Sequence, residues 1–296
     1  MAARHNVDYV ALSMARQKED IKLLKKEMDK RGVEAKIIAK IENQQALDNF
    51  DEILAEADGI MIARGDLGVE VELYKLPILQ KQMIRKTRAV GRPIITATQM
   101  LQSMITSPSP TRAEVSDVAN AVLDRTDAIM LSAETAQGQY ALEAVQMMAQ
   151  IAEYTESQRM NLQSTFTTFN TTEDAVASSA FHLYQGYEQT HPGMVKAFVV
   201  LTEYGLTARM IAKFRTNIPI IAVTDYEETR DKLTLSYGVE PYYLKTGKEA
   251  KKSLAPVFSY LVKLGALKEG DQVIAVRGER WTDEDQTNTI SLERVG

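Results

Sequence analysis

The feature that most constrains the fold of this chain is a regular alternation of short apolar runs and longer amphipathic segments across residues 7–156. The apolar runs, which predict strands, lie at residues 7–13, 35–42, 59–65, 93–98 and 128–132. The amphipathic segments, which predict helices, lie at residues 17–30, 44–57, 76–90, 112–123 and 140–156. Strands that alternate with helices at this spacing are typical of βα units and a parallel sheet.

Polar side chains stand at or just after the end of each predicted strand. They are Ser13, Lys40 with Glu42, Asp66, Thr98 with Gln99, and Ser132 with Glu134. Five successive strands that end in this way favour the active face of a (β/α)8 TIM barrel over a doubly wound sheet, whose site usually lies at one switch point. Since a closed barrel needs eight strands, the sequence predicts a partial barrel of five βα units.

A polar stretch at residues 155–172 indicates a domain boundary, and a second α/β pattern follows it. Its predicted helices lie at residues 174–189, 206–215, 227–237 and 248–264, and its predicted strands at residues 195–202, 219–224, 240–244, 271–277 and 287–294. We therefore predict a partial TIM-barrel domain over residues 1–160 and a smaller C-terminal α/β domain over residues 161–296.

Residues 35–66 carry the strongest indication of chemistry. Lys40 and Glu42 end an apolar strand and point to the same side, because side chains alternate along a strand. Asp66 follows the next predicted strand, so parallel neighbours would bring both carboxylates and the ammonium to one edge of the sheet. Gly65 would allow close approach of the backbone before Asp66. Such a group suits a magnesium ion and a phosphorylated anion.

Composition excludes several classes of protein. The 296 residues include no cysteine, which excludes disulfides and thiolate metal sites, and only three histidines, which makes a histidine-rich zinc site a poor expectation. The formal charge of −5 argues against nucleic acid as a partner. No apolar run approaches the roughly 20 residues that a membrane helix needs, and the first residues lack the apolar core of a signal peptide. We expect a cytoplasmic protein that binds neither nucleic acid nor membrane.

Taken together, several motifs resemble the pyruvate kinase family. The matching strings are VDYVALSMAR (7–16), KIIAKIEN (36–43), DGIMIARGDLGVE (58–70), PIITATQML (93–101), PTRAEVSDVANAVLD (110–124) and DAIMLSAETAQG (127–138). They occur in the family's order and at family-like spacing. The region 201–215 and the string TNTI (287–290) resemble the family's C-terminal regulatory and assembly domain more loosely.

The resemblance implies phosphoryl transfer from phosphoenolpyruvate to ADP, which gives pyruvate and ATP in glycolysis. It implies that Lys40 is catalytic and lies beside the phosphoryl group, where its charge offsets the charge on the equatorial oxygens. It implies that Glu42 and Asp66 are the ligands of Mg²⁺ or Mn²⁺. It also implies that Thr98 is catalytic and lies at the enolate, on the side from which the proton is delivered.

The resemblance further implies substrate-binding residues, namely Ala63, Arg64, Gly65, Asp66, Thr98 and Glu134. The turn at residues 63–66 matches a segment whose backbone N–H groups hold the pyruvate carboxylate at the start of a helix. Arg112 and Glu114 match a helix that holds the barrel and subunit contacts together. Ser13 and Arg16 match the family's first string, but Met14 replaces the usual aromatic residue, and we expect no direct role for Ser13 or Arg16.

The resemblance also implies that this chain is the C-terminal portion of such an enzyme, from barrel strand four onward. The family's potassium ligands, phosphate-clamping arginine and lid domain would then lie outside residues 1–296. We therefore expect negligible turnover from the chain alone, which a coupled assay for pyruvate would test. By family, we expect a homo-oligomer, a tetramer, and K⁺ as a second cofactor.

Two alternatives remain open from the sequence. A Mg²⁺-dependent pyruvate aldolase also uses a Glu/Asp metal site on a barrel, although a lysine beside a phosphoryl path has no role in that reaction. A non-catalytic regulatory or assembly fragment is the other alternative. In the C-terminal domain, the acids of the loop 278–285, which are Glu279, Asp283, Glu284 and Asp285, would repel a phosphate and argue against activation by a sugar bisphosphate.

Overall fold

The computed structural model describes residues 2–158, 171–245, 253–278 and 287–296. The chain divides into two compact units, Met1–Gln163 and Ser164–Gly296. The predicted boundary after residue 160, the start of the helix predicted at 248–264 and nearly all of the loop 278–285 lie outside the described residues.

The first unit is built on a parallel five-stranded sheet whose spatial order, β1-β2-β3-β4-β5, follows the chain. Its strands are β1 (Tyr9–Leu12), β2 (Lys36–Ile41), β3 (Gly59–Ala63), β4 (Ile94–Ala97) and β5 (Ala128–Met130). The predicted parallel sheet of five βα units is therefore confirmed. An order without reversal fits part of a barrel and has no switch point of the doubly wound kind.

Helices connect these strands, and several have clear sequence causes. They are α1 (Ala2–His5), α2 (Lys18–Asp29), α3 (Gln44–Asp48), α4 (Phe50–Glu56), α5 (Arg64–Glu70), α6 (Leu76–Ala89), α7 (Arg112–Leu123), α8 (Ala133–Ala136) and α9 (Ala141–Ser157), with short 3₁₀ turns at Leu73–Lys75 and Gln102–Ile105. A capping box between Thr111 and Glu114 begins α7. Pro77 lies in the first turn of α6, where its missing N–H removes no helical hydrogen bond.

The two faces of the first sheet differ. One face packs on the helices through a single apolar core that includes Ile37, Ala39 and Ile41 of β2 together with alternate residues of β3 and β4. The intervening residues, among them Ile38 and Lys40, point to the other face because side chains alternate along a strand. Lys40 therefore lies on the face opposite the helical core.

The bounds of the predicted elements differ from those in the structure by a few residues, and two of these differences have a clear physical cause. The helix predicted at 44–57 is broken at Asn49, whose φ of −99° and ψ of 15° end α3 and begin α4. The side-chain amide of Asn49 donates to the carbonyl of Arg16, which holds the break in place. The strand predicted at 59–65 ends at Ala63 because α5 begins directly at Arg64.

The second unit is a three-layer α/β fold around a five-stranded sheet of order β10-β9-β6-β7-β8, in which only β10 is antiparallel to its neighbour. Its elements are α10 (Thr172–Thr190), β6 (Val195–Leu201), α11 (Leu206–Ala212), β7 (Ile220–Thr224), α12 (Glu227–Leu233), β8 (Val239–Tyr243), α13 (Ala255–Lys263), β9 (Gln272–Arg277) and β10 (Thr289–Arg294). Helices α10 and α11 pack on one face of the sheet and α13 packs on the other. The predicted smaller α/β fold is confirmed.

The helix predicted at 206–215 ends earlier, at Ala212. Arg215 has a left-handed φ of 56°, and its buried guanidinium donates to the carbonyl of Ala212 and lies 4.8 Å from the centre of the Tyr237 ring. The arginine thus caps the helix that a periodicity argument would extend. Among the described helices of both units, none is long and apolar enough to cross a membrane.

Candidate active site

Lys40 and Glu42 form an ion pair at the carboxyl end of β2. The Nζ atom of Lys40 lies 2.6 Å from Oε1 of Glu42, and the side chain of Glu42 is only 2% exposed whereas that of Lys40 is 23% exposed. The ammonium of Lys40 is therefore accessible to solvent at the carboxyl end of the sheet, whereas the carboxylate of Glu42 is shielded from water.

The turn after β1 holds this pair from the neighbouring strand. Oγ of Ser13 accepts a hydrogen bond of 2.9 Å from Nζ of Lys40, and the backbone N–H of Met14 donates to Oε2 of Glu42 at 2.6 Å. Met14 has a left-handed φ of 55°, which is uncommon for a residue with a side chain. This conformation aims the N–H at the carboxylate, so the turn positions both charged groups.

Asp66 lies on the neighbouring strand's exit, in the first turn of α5. Ile41 of β2 pairs with Ile62 of β3, so Glu42 comes level with Ala63 and both acids follow the carboxyl ends of adjacent strands. The Asp66 side chain is exposed. Within the described parts of the chain it makes no hydrogen bond or ion pair, and its oxygens are open to a ligand.

Arg64 points away from solvent and joins three elements. Its side chain is 6% exposed, and Nη1 forms an ion pair of 2.7 Å with Asp117 of α7. Nε and Nη2 donate to the carbonyl of Thr98 at 3.2 and 2.8 Å, and Nη2 also reaches the carbonyl of Gln99 at 3.2 Å. The guanidinium therefore holds the loop after β4 and does not face the open side of the site.

The loop after β4 has an unusual backbone that these bonds stabilise. Thr98 and Gln99 have left-handed φ values of 63° and 54°, and consecutive residues in this region require support from their surroundings. Oγ1 of Thr98 accepts from the N–H of Gly65 at 2.7 Å and donates to the carbonyl of Ala97 at 2.7 Å. Thr98 is thereby tied to the start of α5, and the structure brings residues 63–66 and Thr98 together.

Space does not explain the glycine at position 65. A Cβ atom there would lie 3.5 Å from Oγ1 of Thr98, which is an ordinary contact. The close backbone approach expected at Gly65 is therefore not required by contacts with other residues of the chain. Ala63, the residue before the turn, is buried as the last residue of β3.

Glu134 lies in α8, directly after β5, and is fully buried. Its Oε1 accepts from the N–H of Leu101 at 3.1 Å and its Oε2 from the N–H of Ser132 at 2.8 Å. Both oxygens bind backbone groups of the loops after β4 and β5. The side chain thus joins these two loops at the same edge of the sheet as Lys40 and Glu42.

Glu114 is the acid of the α7 capping box and also binds the 3₁₀ turn. Its oxygens accept from the backbone N–H groups of Ser103 and Thr111, both at 2.7 Å, and from the hydroxyls of the same two residues. Burial acts to raise the pKa of Glu114, but the hydrogen bonds from Ser103 and Thr111 outweigh it and hold that pKa below its usual value. Arg112 is exposed.

The donor set fits a divalent cation that prefers oxygen. Mg²⁺ is usually bound through one or two carboxylates together with substrate oxygens and water, which two acids on adjacent strands can supply. Asp66 has free oxygens, and each oxygen of Glu42 has one protein partner and a further lone pair. The described residues contain no group of three or more His, Cys, Asp or Glu side chains placed for a metal, so a cage made by protein alone is absent from this part of the chain.

Sequence reasoning missed two contributors to the site. One is Asp117, the counter-ion of Arg64, and the other is the backbone N–H of Met14, which holds Glu42 while Ser13, for which no direct role was expected, contacts Lys40. The role of Asp117 could have been suspected, because it is an acid in α7 and Arg64 lies at the end of a nearby strand, β3. The left-handed backbone of Met14 has no sequence signal, because glycine or asparagine would be expected there.

Comparisons with known proteins agree with this architecture. The family model described as "Pyruvate kinase, barrel domain" matches residues 1–145, and the model described as "Pyruvate kinase, alpha/beta domain" matches residues 174–292. The chain is 42% identical to a pyruvate kinase of Dictyostelium discoideum and 41% identical to one of Thermococcus litoralis, over 98% and 99% of its length. A crystal structure of a pyruvate kinase from Cryptosporidium parvum superposes over 100% of the chain with a TM-score of 0.88 and 35% identity.

The chain spans only part of these relatives. It covers 58% of the Dictyostelium protein, 62% of the Thermococcus protein and 60% of the Cryptosporidium chain. All three likenesses favour the pyruvate kinase family over the family of the aldolase alternative.

Proposed function

Because the chain belongs to the pyruvate kinase family, we propose that the edge of its first sheet binds an enol phosphate and contributes to phosphoryl transfer from phosphoenolpyruvate to ADP. The observation that carries the proposal is the pairing of a partly exposed lysine with a buried glutamate beside a free aspartate on the next strand. The partial barrel, residues 1–160, holds this site, and residues 161–296 serve regulation or assembly.

In this reaction the bond between phosphorus and the enol oxygen breaks while an oxygen of the β-phosphate of ADP bonds to phosphorus. The electron pair left on the enolate moves to carbon 3, which takes up a proton and gives pyruvate. Lys40 supplies a positive charge beside the phosphoryl group, whose transfer depends on positioning and charge stabilisation. Its ion pair with Glu42 fixes the ammonium in place.

Glu42 and Asp66 would hold Mg²⁺ or Mn²⁺. When bound, the cation supplies charge neutralisation for substrate oxygens. The backbone N–H of Met14 fixes the orientation of the Glu42 carboxylate by donating a hydrogen bond to it. Asp66 stands in the first turn of α5, where the helix dipole favours a negative group.

The first turn of α5 would bind the carboxylate of the substrate through backbone N–H groups of residues 63–66. The N–H of Gly65 already donates to Thr98, so its neighbours in the turn carry this contact. Thr98, held in a left-handed conformation by Arg64, fixes the enolate side of the site where carbon 3 receives its proton. Glu134 holds the loops after β4 and β5 around the substrate.

The family also supports K⁺ as a second cofactor, a cytoplasmic location and a homo-oligomer such as a tetramer. One observation in the first unit favours assembly, since large apolar side chains are exposed together along α5, the 3₁₀ turn and α6. They are Val69, Leu73, Tyr74 and Ile78, which are 58–86% exposed. Exposed apolar patches of this kind mark interaction surfaces.

Calorimetric titration of the chain with oxalate, a mimic of the pyruvate enolate, and with phosphoenolpyruvate tests the proposal. We expect oxalate to bind only when Mn²⁺ is present, and Glu42→Gln to abolish this binding. Lys40→Met should weaken phosphoenolpyruvate more than oxalate, while Glu52→Gln, at an exposed ion pair with Lys18, should change neither. Oxalate binding that ignores Mn²⁺, or no binding at all, would refute the site and leave an assembly role.

A further inference from the structure

Among the described residues, Lys40 has a polar contact with Ser13, in the turn after β1, that the proposed reaction leaves without a role. Leu12 of β1 pairs with Ala39 of β2, so Ser13 comes level with Lys40 and their side chains share a face of the sheet. Oγ of Ser13 lies 2.9 Å from Nζ of Lys40, and Ser13 is exposed. The hydroxyl therefore stands beside the ammonium at the open side of the site.

The direction of this hydrogen bond determines what the hydroxyl can do next. A protonated lysine can only donate, so Oγ of Ser13 accepts and the hydroxyl hydrogen remains to be donated. Throughout the described residues that hydrogen meets no acceptor. Lys40 has used two of its three hydrogens, one on Ser13 and one on Glu42, and keeps the third. Two unused donors thus lie within one hydrogen bond of each other.

Two adjacent donors, one of them charged, suit an anion with several oxygens at tetrahedral geometry. A phosphoryl group can accept both bonds on separate oxygens. No acid other than Glu42 approaches Lys40 within ion-pair distance among the described side chains. The pair is therefore prepared for an anion from solution.

We propose that Ser13 is a phosphoryl-binding residue that donates its hydroxyl hydrogen to the oxygen next to the one bound by Lys40. This inference rests on the proposed function, since it assigns the phosphoryl end of the substrate to the same site. It gives the β1–α2 turn two tasks, because Met14 positions the carboxylate of Glu42 while Ser13 contacts the substrate.

The test compares Ser13→Ala and Ser13→Thr with the wild-type chain by calorimetry in the presence of Mn²⁺. Loss of one hydrogen bond to a charged group should weaken phosphoenolpyruvate about tenfold or more in Ser13→Ala. Oxalate has no phosphoryl group, so its affinity should not change. Ser13→Thr keeps the hydroxyl at an exposed position and should restore the affinity for phosphoenolpyruvate. Ser157→Ala, an exposed serine at the end of α9, is the matched control.

Each outcome decides a different point. Equal binding of phosphoenolpyruvate by Ser13→Ala and wild type overturns the role of Ser13 alone. A parallel loss of oxalate and phosphoenolpyruvate also overturns it, because that pattern means that the turn has moved Glu42. A wild-type chain that binds neither ligand refutes the proposed function and this inference with it.

Discussion

Replacing Asp117 by alanine should loosen the loop that carries Thr98, because it leaves the buried guanidinium of Arg64 without its counter-ion. The side chain of Arg64 is 6% exposed, and that of Asp117 is 39% exposed. Breaking a fully buried pair costs about 3–5 kcal/mol, whereas an exposed pair contributes about 0–1 kcal/mol. Because solvent reaches Asp117 and Arg64 keeps its carbonyl partners, we expect a loss of about 2 kcal/mol.

Urea unfolding followed by circular dichroism measures this loss. With an m value of about 2 kcal/mol/M, the midpoint of the first unit should fall by about 1 M. Asp117→Asn keeps one acceptor for Nη1 and should lose less. Glu52→Ala removes an exposed ion pair, in which the side chain of Lys18 is 39% exposed and that of Glu52 is 36% exposed. Its free energy of unfolding should fall by less than about 0.5 kcal/mol. If Asp117→Ala is no worse than Glu52→Ala, the guanidinium does not support the loop.

Three further predictions concern other parts of the chain. Gly138→Ala should destabilise the first unit by about 1–3 kcal/mol, because the new Cβ would lie 2.1 Å from the carbonyl oxygen of Glu134. Gly186→Ala in α10 has open space around the new Cβ and should stabilise the second unit by about 0.5–1 kcal/mol. The same urea assay measures both changes. Lys213→Met should destabilise the second unit by about 3–5 kcal/mol, because it removes the buried cation that pairs with the buried carboxylate of Asp174. Adding Asp174→Leu should recover most of the loss, and a double variant as unstable as the single would contradict this. Because the pKa of Glu114 is lowered in the folded state, its contribution to stability is present above its unfolded pKa and is lost as pH falls through the folded pKa. Glu114→Gln should therefore be less stable than the wild type at pH 7 and should show a smaller loss of stability as the pH is lowered. An unchanged loss of stability at acid pH would refute this.

The architecture of the first unit could be predicted because buried and exposed positions give a periodic pattern of apolar and polar residues in the sequence. The strands β2, β3 and β4 are nearly continuous apolar runs, as parallel strands covered by helices must be, and α7 carries a capping box that fixes its start. The same reasoning could not find the break of α3 and α4 at Asn49. That break depends on a hydrogen bond to Arg16, which is distant in the chain.

The site was predictable where it depends on strand alternation and less so where it depends on loops. Lys40 and Glu42 were expected on one face, and the structure brings them within 2.6 Å. The inward direction of Arg64, its partner Asp117 and the left-handed turn at Met14 depend on contacts between separate βα units. A single sequence does not record those contacts, although the family's motifs do place their residues.

Manganese binding in the presence of oxalate, followed by electron paramagnetic resonance, tests most directly whether Glu42 and Asp66 share one cation. We expect one bound Mn²⁺ in the wild-type chain and a loss of affinity of at least about tenfold in Asp66→Asn. Asp29→Asn, at another exposed aspartate in a helix of the same unit, should bind as the wild type does. If Asp66→Asn binds Mn²⁺ and oxalate as tightly as Asp29→Asn, the two acids do not form a metal site.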